Sequence, residues 1–375
     1  MPLPVINSTR GHPADPPFGS TAAGPRSISA VRVLRISLTD RCNFRCIYCM
    51  PAEGVKWLPR DDILRFEEII EIVQTAMDVH SICRFKLTGG EPTVRHGIAD
   101  LVWRLRRLQG VEDLSMTTNG MLLENLAAPL KQAGLDRLTV SIDSLRPDRF
   151  RQITRTGDLD TVLRGLTIAE EVGFENLKIN CVAMRGMNDE ELVDFARLTL
   201  TRNLTVRFIE YMPLGNAAIM RADSRRVDQS ESGPAGGCGA QDRGKGAFIS
   251  EAEVRQRIEP EVGPLIEVNR SLESGVGPAA VYRLAHGNPR GRIGFISAMS
   301  APFCSTCNRL RLTADGVLRS CLFEGGEVNV REILRSGLPP SQRRAALARA
   351  MVDCIRLKPQ VHGFRGNQQM SRIGG

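Results

Sequence analysis

From residue 31 onward, short apolar runs rich in β-branched residues alternate with longer stretches whose apolar positions recur every three or four residues. The runs at 33–38, 84–87, 113–116, 137–142, 177–182 and 205–209 read as strands. The stretches 66–79, 98–108, 126–133, 159–172 and 190–200 read as helices, with Gly110, Gly134 and Gly173 at the C′ positions of three of them. Six strands separated by five helices predict consecutive βα units on a parallel sheet, and the apolar strand runs suit a sheet covered on both faces. A doubly wound sheet shares that rhythm, but no early Gly-x-Gly-x-x-Gly signature accompanies it. A partial (β/α)6 TIM-like barrel fits at least as well.

The strand ends are more informative than the strands themselves. The first strand ends in Thr39-Asp40-Arg41-Cys42, the second in Thr88-Gly89-Gly90-Glu91 and the third in Thr117-Thr118-Asn119-Gly120. The fourth ends around Ser141 and Asp143, the sixth in Glu210-Tyr211-Met212-Pro213. Polar groups and glycines therefore gather at the C-terminal strand ends, where parallel α/β folds place their sites. The rhythm breaks at 221–246, a Ser-, Gly- and Gln-rich linker. The expected organisation is a poorly ordered extension (1–30), a barrel (31–220), that linker, and a C-terminal α+β region (247–375). The last holds a helix at 250–258, strand-like runs at 281–284 and 293–296, and two terminal helices.

Composition narrows the class. The 375-residue chain is 42% hydrophobic, has no membrane-length apolar run, and lacks the apolar core of a secretory signal near its start. A cytoplasmic protein is the expectation. Its formal charge of +8 favours acidic partners, nucleic acid or a nucleotide. Of its 50 basic residues only six are lysines, and two of these, Lys86 and Lys178, fall in predicted strands. Ten cysteines in a reducing compartment argue for metal or catalysis over disulfides. Cys83, Cys181 and Cys354 read as core residues and Cys238 as an exposed thiol.

The other six cysteines form two triads, Cys42-x3-Cys46-x2-Cys49 and Cys304-x2-Cys307-x13-Cys321. A closed zinc site takes four ligands, so zinc would need a fourth from elsewhere; a cubane on three thiolates leaves one iron open. In the first triad Tyr48 stands between two ligands. The Gly-Gly-Glu-Pro loop offers backbone that can approach a ligand closely, and Glu91 can accept from an ammonium. Cys-x3-Cys-x2-Tyr-Cys with Gly-Gly-Glu-Pro resembles the radical S-adenosylmethionine (SAM) superfamily. That resemblance implies SAM chelated on the open iron and cleaved by one electron to a radical that abstracts a substrate hydrogen. It also implies SAM contacts from Tyr48, Gly90, Ser141 and Met212.

In the second triad, Asp315-Gly316 between alternating runs signals a hairpin. With those two residues as the turn, Leu310 pairs with Cys321 and brings it close to Cys307. Arg309 and Arg311, two apart on one strand, share a face suited to a phosphate-bearing substrate, although solvated arginines would fit the pattern too.

A radical-SAM core with a C-terminal Cys-x2-Cys-x13-Cys and Arg-x-Arg closely resembles the GTP 3′,8-cyclase family of molybdenum-cofactor synthesis. Residues 34–46, 207–215 and the terminal Met370-Ser-Arg-Ile-Gly-Gly carry the match. The resemblance implies conversion of GTP to 3′,8-cyclo-7,8-dihydroguanosine 5′-triphosphate, by abstraction at ribose C3′ and attack on guanine C8. It implies two [4Fe–4S] clusters, with the second binding the guanine. GTP contacts would come from Arg35, Lys86, Thr117, Lys178, Arg309 and Arg311, and a Gly374-Gly375 tail would reach the active site. Its partners would be an electron donor and cyclic pyranopterin monophosphate synthase downstream; a homodimer stays open, and neither membrane nor nucleic acid is expected. A peptide-modifying radical SAM maturase and a basic zinc protein that binds nucleic acid are the competing readings.

Overall fold

The computed structural model describes residues 24–214, 245–269, 277–324 and 326–363. The expectations for 1–23, for Cys238 and most of the linker, and for the Gly374-Gly375 tail lie outside the described residues. Six parallel strands form the centre, hydrogen-bonded in chain order: β1 (Val33–Ser37), β2 (Arg84–Thr88), β3 (Asp113–Thr118), β4 (Arg137–Ser141), β5 (Leu177–Ala183) and β6 (Leu204–Glu210). Outward-facing residues such as Leu34, Ile36, Phe85, Leu87, Leu114 and Met116 are buried against a helical layer. That layer comprises α1 (Phe66–His80), α2 (Ile98–Arg106), α3 (Leu123–Gln132), α4 (Pro147–Thr154), α5 (Leu159–Glu171) and α6 (Leu192–Thr201).

Two local expectations change. The helix α4 escapes a periodicity search because its sequence, Pro-Asp-Arg-Phe-Arg-Gln-Ile-Thr, buries only Phe150, Ile153 and Thr154. The helix α2 is capped at Arg107, so Gly110 serves the next turn and not the C′ position; Gly134 and Gly173 do come directly after their caps.

The C-terminal region contributes α7 (Glu251–Val262), β7 (Leu265–Glu267), β8 (Ala280–Leu284), β9 (Arg292–Ile296), β10 (Arg309–Leu312), β11 (Val317–Arg319), β12 (Glu327–Asn329), α8 (Arg331–Leu334) and α9 (Pro340–Arg356). It extends the barrel sheet at both edges: β9 adds parallel to β6, and β10 adds parallel to β1. The order β12-β11-β10-β1-β2-β3-β4-β5-β6-β9-β8-β7 makes one open twelve-stranded sheet, a partial barrel whose edges are built from the same C-terminal chain. Glu210 fastens this junction. Its carboxylate accepts from the backbone N–H of Glu251, Met299 and Ser300 and from the Ser300 hydroxyl. Among the described residues no helix is long and apolar enough to cross a membrane.

Candidate active site between two cysteine triads

The first triad occupies the loop after β1. This loop is held by its own backbone, with Cys49 N–H and Met50 N–H donating to the Cys46 carbonyl, and by the glycine-rich loop after β2. Gly90 N–H donates to Thr39 O at 2.7 Å and Glu91 N–H to Arg41 O at 2.8 Å. A Cβ on Gly90 would lie 2.3 Å from Arg41 O, so the residue is glycine because a neighbouring backbone, not only a ligand, comes that close. Glu91 departs from expectation. Its carboxylate already accepts from Thr93 N–H and hydroxyl, the Thr118 hydroxyl and Asn119 N–H, so it is a brace between strand ends and not the acceptor for a ligand ammonium.

Around the sulfurs the field is negative. Burial, then Glu91, raises the Cys42 thiol to about 11. Burial, then Asp143 and the other two cysteines, raises Cys46 well above the ordinary thiol range. Asp143, itself raised to about 6 by burial, accepts from the Tyr48 hydroxyl at 2.7 Å and from Val182 N–H at 2.8 Å. Ser141 closes β4 and Met212 lies just past β6, on the same C-terminal strand ends as the Cys42 loop.

The second triad is assembled by the β10–β11 hairpin, with a correction to its register. Arg311 pairs with Arg319 and Leu312 with Leu318, so Arg309, not Leu310, stands opposite Cys321. The loop holds three residues, Ala314 to Gly316, closed by Thr313 N–H to Val317 O at 2.9 Å. Only Gly316 takes a left-handed φ, +81°, whereas a two-residue turn on Asp315-Gly316 would need both residues there. A one-residue slip reverses every side chain. The observed register puts Arg309, Arg311, Arg319 and Cys321 on one face.

Here the field is positive. Burial opposes ionisation of Cys307, but the Arg309 guanidinium, 3.7 Å from its sulfur, and the Lys358 ammonium bring that thiol down to about 6. Arg309 also lies over the Phe303 ring at 5.0 Å.

The two triads stand at opposite ends of a shared strand pair. Val33 of β1 is level with Arg309 of β10, so Cys307 sits at the N-terminal end of strands whose C-terminal end carries the Cys42 loop. Four strand residues separate those levels, about 13 Å at ~3.3 Å per residue. Across that gap runs a row of cations at one level: Arg319, Arg311, Arg35 and Lys86 on four adjacent strands, continuing to Ser115 on one side and on the other to Glu327 of β12, which pairs with Arg319 at 2.5 Å. Like charges directly opposite repel. Burial and then Arg311, Arg309 and Arg207 hold the Arg35 pKa well below its ordinary value, and burial and then Arg207 and Arg35 do the same to Lys86. Arg311 is brought down to about 9 and Arg207 to about 10, chiefly by burial. Thr117 and Lys178 face the same interior, joined in register through Thr139.

Arg207 and Asn180 were not singled out by sequence reasoning, yet they pair in register on that inner face. The available signal was a polar residue at an alternate position inside an apolar strand. Arg207 Nε, Asn180 Oδ1 and Thr117 Oγ1 are buried without a hydrogen-bond partner among the described residues. Three orphaned polar atoms beside a row of repelling cations fit a polyanionic, hydrogen-bonding ligand. Among the described residues each triad offers three thiols and no fourth ligand of the same kind, the donor set of a cubane with one open iron. Among the described residues no three His, Cys, Asp or Glu converge as around a single ion; cubane thiolates bind separate irons and need not do so.

Comparison with known proteins places the chain. Residues 36–199 match the profile described as Radical SAM superfamily, and 230–364 match Molybdenum Cofactor Synthesis C. The GTP 3′,8-cyclase of Moorella thermoacetica is 44% identical over 92% of this chain and 98% of its own length. Those of Pelotomaculum thermopropionicum and Pseudomonas putida W619 are each 42% identical, over 92% and 91% of this chain and 98% and 93% of theirs. In fold the chain is similar to Streptococcus suis SuiB bound to S-adenosylmethionine, at TM-score 0.50 and 14% identity over 80% of this chain and 64% of that one. The chain belongs to the GTP 3′,8-cyclase family of the radical SAM superfamily.

Proposed function

We propose that the space between the triads is where this chain, a radical SAM enzyme of molybdenum-cofactor synthesis, holds GTP and cyclises it to 3′,8-cyclo-7,8-dihydroguanosine 5′-triphosphate. The observation that carries the proposal is the buried cluster of Arg35, Lys86, Arg207 and Arg311, whose mutual repulsion a polyanion would relieve. Cys42, Cys46 and Cys49 hold one [4Fe–4S] cluster and Cys304, Cys307 and Cys321 the other. When bound, the first cluster with SAM supplies one-electron chemistry capable of abstracting hydrogen.

The rest is placement by protein groups. Arg35, Lys86, Lys178, Arg207 and Arg311 neutralise the triphosphate from five strands, and Thr117 and Asn180 hydrogen-bond the nucleoside. Arg309 lies at the guanine end, where a cluster held by Cys304, Cys307 and Cys321 would offer an open position, so the ribose faces the Cys42 loop. Tyr48, Gly90, Ser141 and Met212 border SAM. Fixing both ends of GTP presents C3′ to the abstracting centre and keeps C8 within reach of the carbon radical that results. Burial of the row excludes water, which strengthens the electrostatic grip and protects the radical from quenching. An external electron donor supplies the electron for SAM cleavage and a second one that, with a proton, reduces the ring-closed guanine radical to the 7,8-dihydro product. A downstream enzyme that rearranges the cyclised nucleotide completes the scheme.

Anaerobic incubation with reductant, SAM and GTP tests it. The expected outcome is one 5′-deoxyadenosine and one cyclised nucleotide per turnover. SAM cleavage that leaves GTP intact while a peptide is modified would replace this reading with the maturase.

A further inference from the structure

Lys358 has no place in the cyclisation itself. It lies just beyond the cap of α9 and is 3% exposed. Its ammonium donates to the Cys307 carbonyl at 2.8 Å and to the Arg309 carbonyl at 3.1 Å. The residue is itself anchored: its N–H donates to Ile355 O at 3.0 Å, and its carbonyl accepts from Arg26 Nε at 2.7 Å. A buried ammonium is costly, and two neutral carbonyls satisfy its donors without cancelling its charge. That charge remains to act on its nearest neighbours, the Cys307 and Arg309 backbone that it binds.

The two carbonyls flank Asn308, at the point where the ligand loop becomes β10. One ammonium therefore ties together the residue that supplies a thiolate and the residue whose guanidinium lies beside that thiolate. In a chain with six lysines among fifty basic residues, a compact three-donor cation is placed here, within reach of two carbonyls two residues apart.

We propose that Lys358 is a positioning residue for the second cluster. Its ammonium clamps the Cys307–Arg309 backbone, fixing thiolate and guanidinium relative to one another. Its buried positive charge holds that cluster's reduction potential above the value the three thiolates alone would set. Reduction adds one electron to the cluster, and a fixed neighbouring cation stabilises the added charge. The inference rests on the two-cluster reading of this chain.

The test compares the reconstituted parent with Lys358→Met, which keeps the aliphatic stem without the charge, and Lys358→Arg, which keeps the charge. Iron content and EPR-monitored redox titration are read for both clusters. The Met variant should show a more negative midpoint for the second cluster and an unchanged first; the Arg variant should stay nearer the parent. An unchanged second midpoint in a Met variant with about eight irons overturns the proposal. If the Met variant retains only about four irons, Lys358→Gln is set against Lys358→Arg. A parental midpoint in Arg with a more negative midpoint or a lost cluster in Gln supports the clamp, and equal midpoints or equal loss overturn it. A parent that takes up only about four irons, or zinc, would instead sink the two-cluster reading.

Discussion

The two cysteine triads have the same donors and opposite surroundings. The first is local, eight residues on one loop, and its sulfurs lie near the carboxylates of Glu91 and Asp143. The second spans eighteen residues, needs a hairpin to form, and lies against the Arg309 guanidinium and the Lys358 ammonium. Negative neighbours disfavour added electrons, so a cluster on the first triad is a stronger reductant than its ligands alone would make it. Positive neighbours do the reverse and draw anions. The division suits the proposed roles, in which one end delivers an electron to SAM and the other holds a triphosphate nucleotide.

The largest expected break in this comparison is all-or-none. Cys321→Ala should lower reconstituted iron from about eight per chain to about four and leave the first cluster's SAM-bound EPR signal in place. Loss of both clusters would mean that the triads are not independent. Next comes a contrast readable without any cluster. At pH 7 a thiol at about 6 is mostly ionised and one at about 11 is not, roughly a 10⁴-fold difference in thiolate fraction. Timed alkylation of the apo protein, read by mass spectrometry, should label Cys307 well before Cys42. Arg309→Gln should slow Cys307 by raising its pKa; equal rates for Cys307 and Cys42 would remove the electrostatic asymmetry.

The barrel was legible because its signal is local: the strand runs, the helices between them, and the polar strand ends lie within a few residues of each other. The C-terminal strands were legible only as isolated runs. Nothing near Arg309 in sequence announces that it will lie level with Val33, a contact 276 residues away that depends on the whole sheet. The hairpin shows a subtler failure. Asp-Gly marks the turn correctly, yet a three-residue loop with Gly316 left-handed satisfies the same sequence and turns Cys321 toward Arg309. In the site, the cysteines and Arg-x-Arg carry spacing. Arg207 and Asn180 carry none, being polar residues at inner positions of largely apolar strands. Glu91 looked available because sequence cannot show its oxygens already occupied.

A smaller effect probes the row between the triads. Arg311→Gln removes one charge-assisted contact, worth about 1.5–3 kcal/mol, so GTP affinity should fall roughly 10- to 100-fold with SAM affinity unchanged. The row is also a store of repulsion in the ligand-free protein. The same variant should therefore melt no lower than the parent without GTP, while gaining less stability from added GTP. An Arg311 variant that melts much lower without GTP would show the residue to be a structural partner first.

The smallest effect on the comparison is expected from a brace remote from the row. Glu68 on α1 accepts both Arg335 Nε at 2.8 Å and Nη2 at 3.1 Å, fastening the segment after α8 to the barrel. Burial opposes its ionisation, but those bonds and Arg65 outweigh it and bring the carboxyl from 4.5 down to about 2. A depressed folded-state pKa gives stability that is complete above the unfolded value near 4.5 and lost as pH falls through about 2. Glu68→Gln should accordingly cost about 2 kcal/mol at pH 7 and little below about pH 2, measured by urea unfolding at both. Both cluster midpoints and the alkylation contrast should stay parental, because Glu68 supplies docking and no field at either triad. A shift in the second midpoint alone would mean that docking of the C-terminal segment, and not only the charges beside Cys307, sets the difference between the two sites.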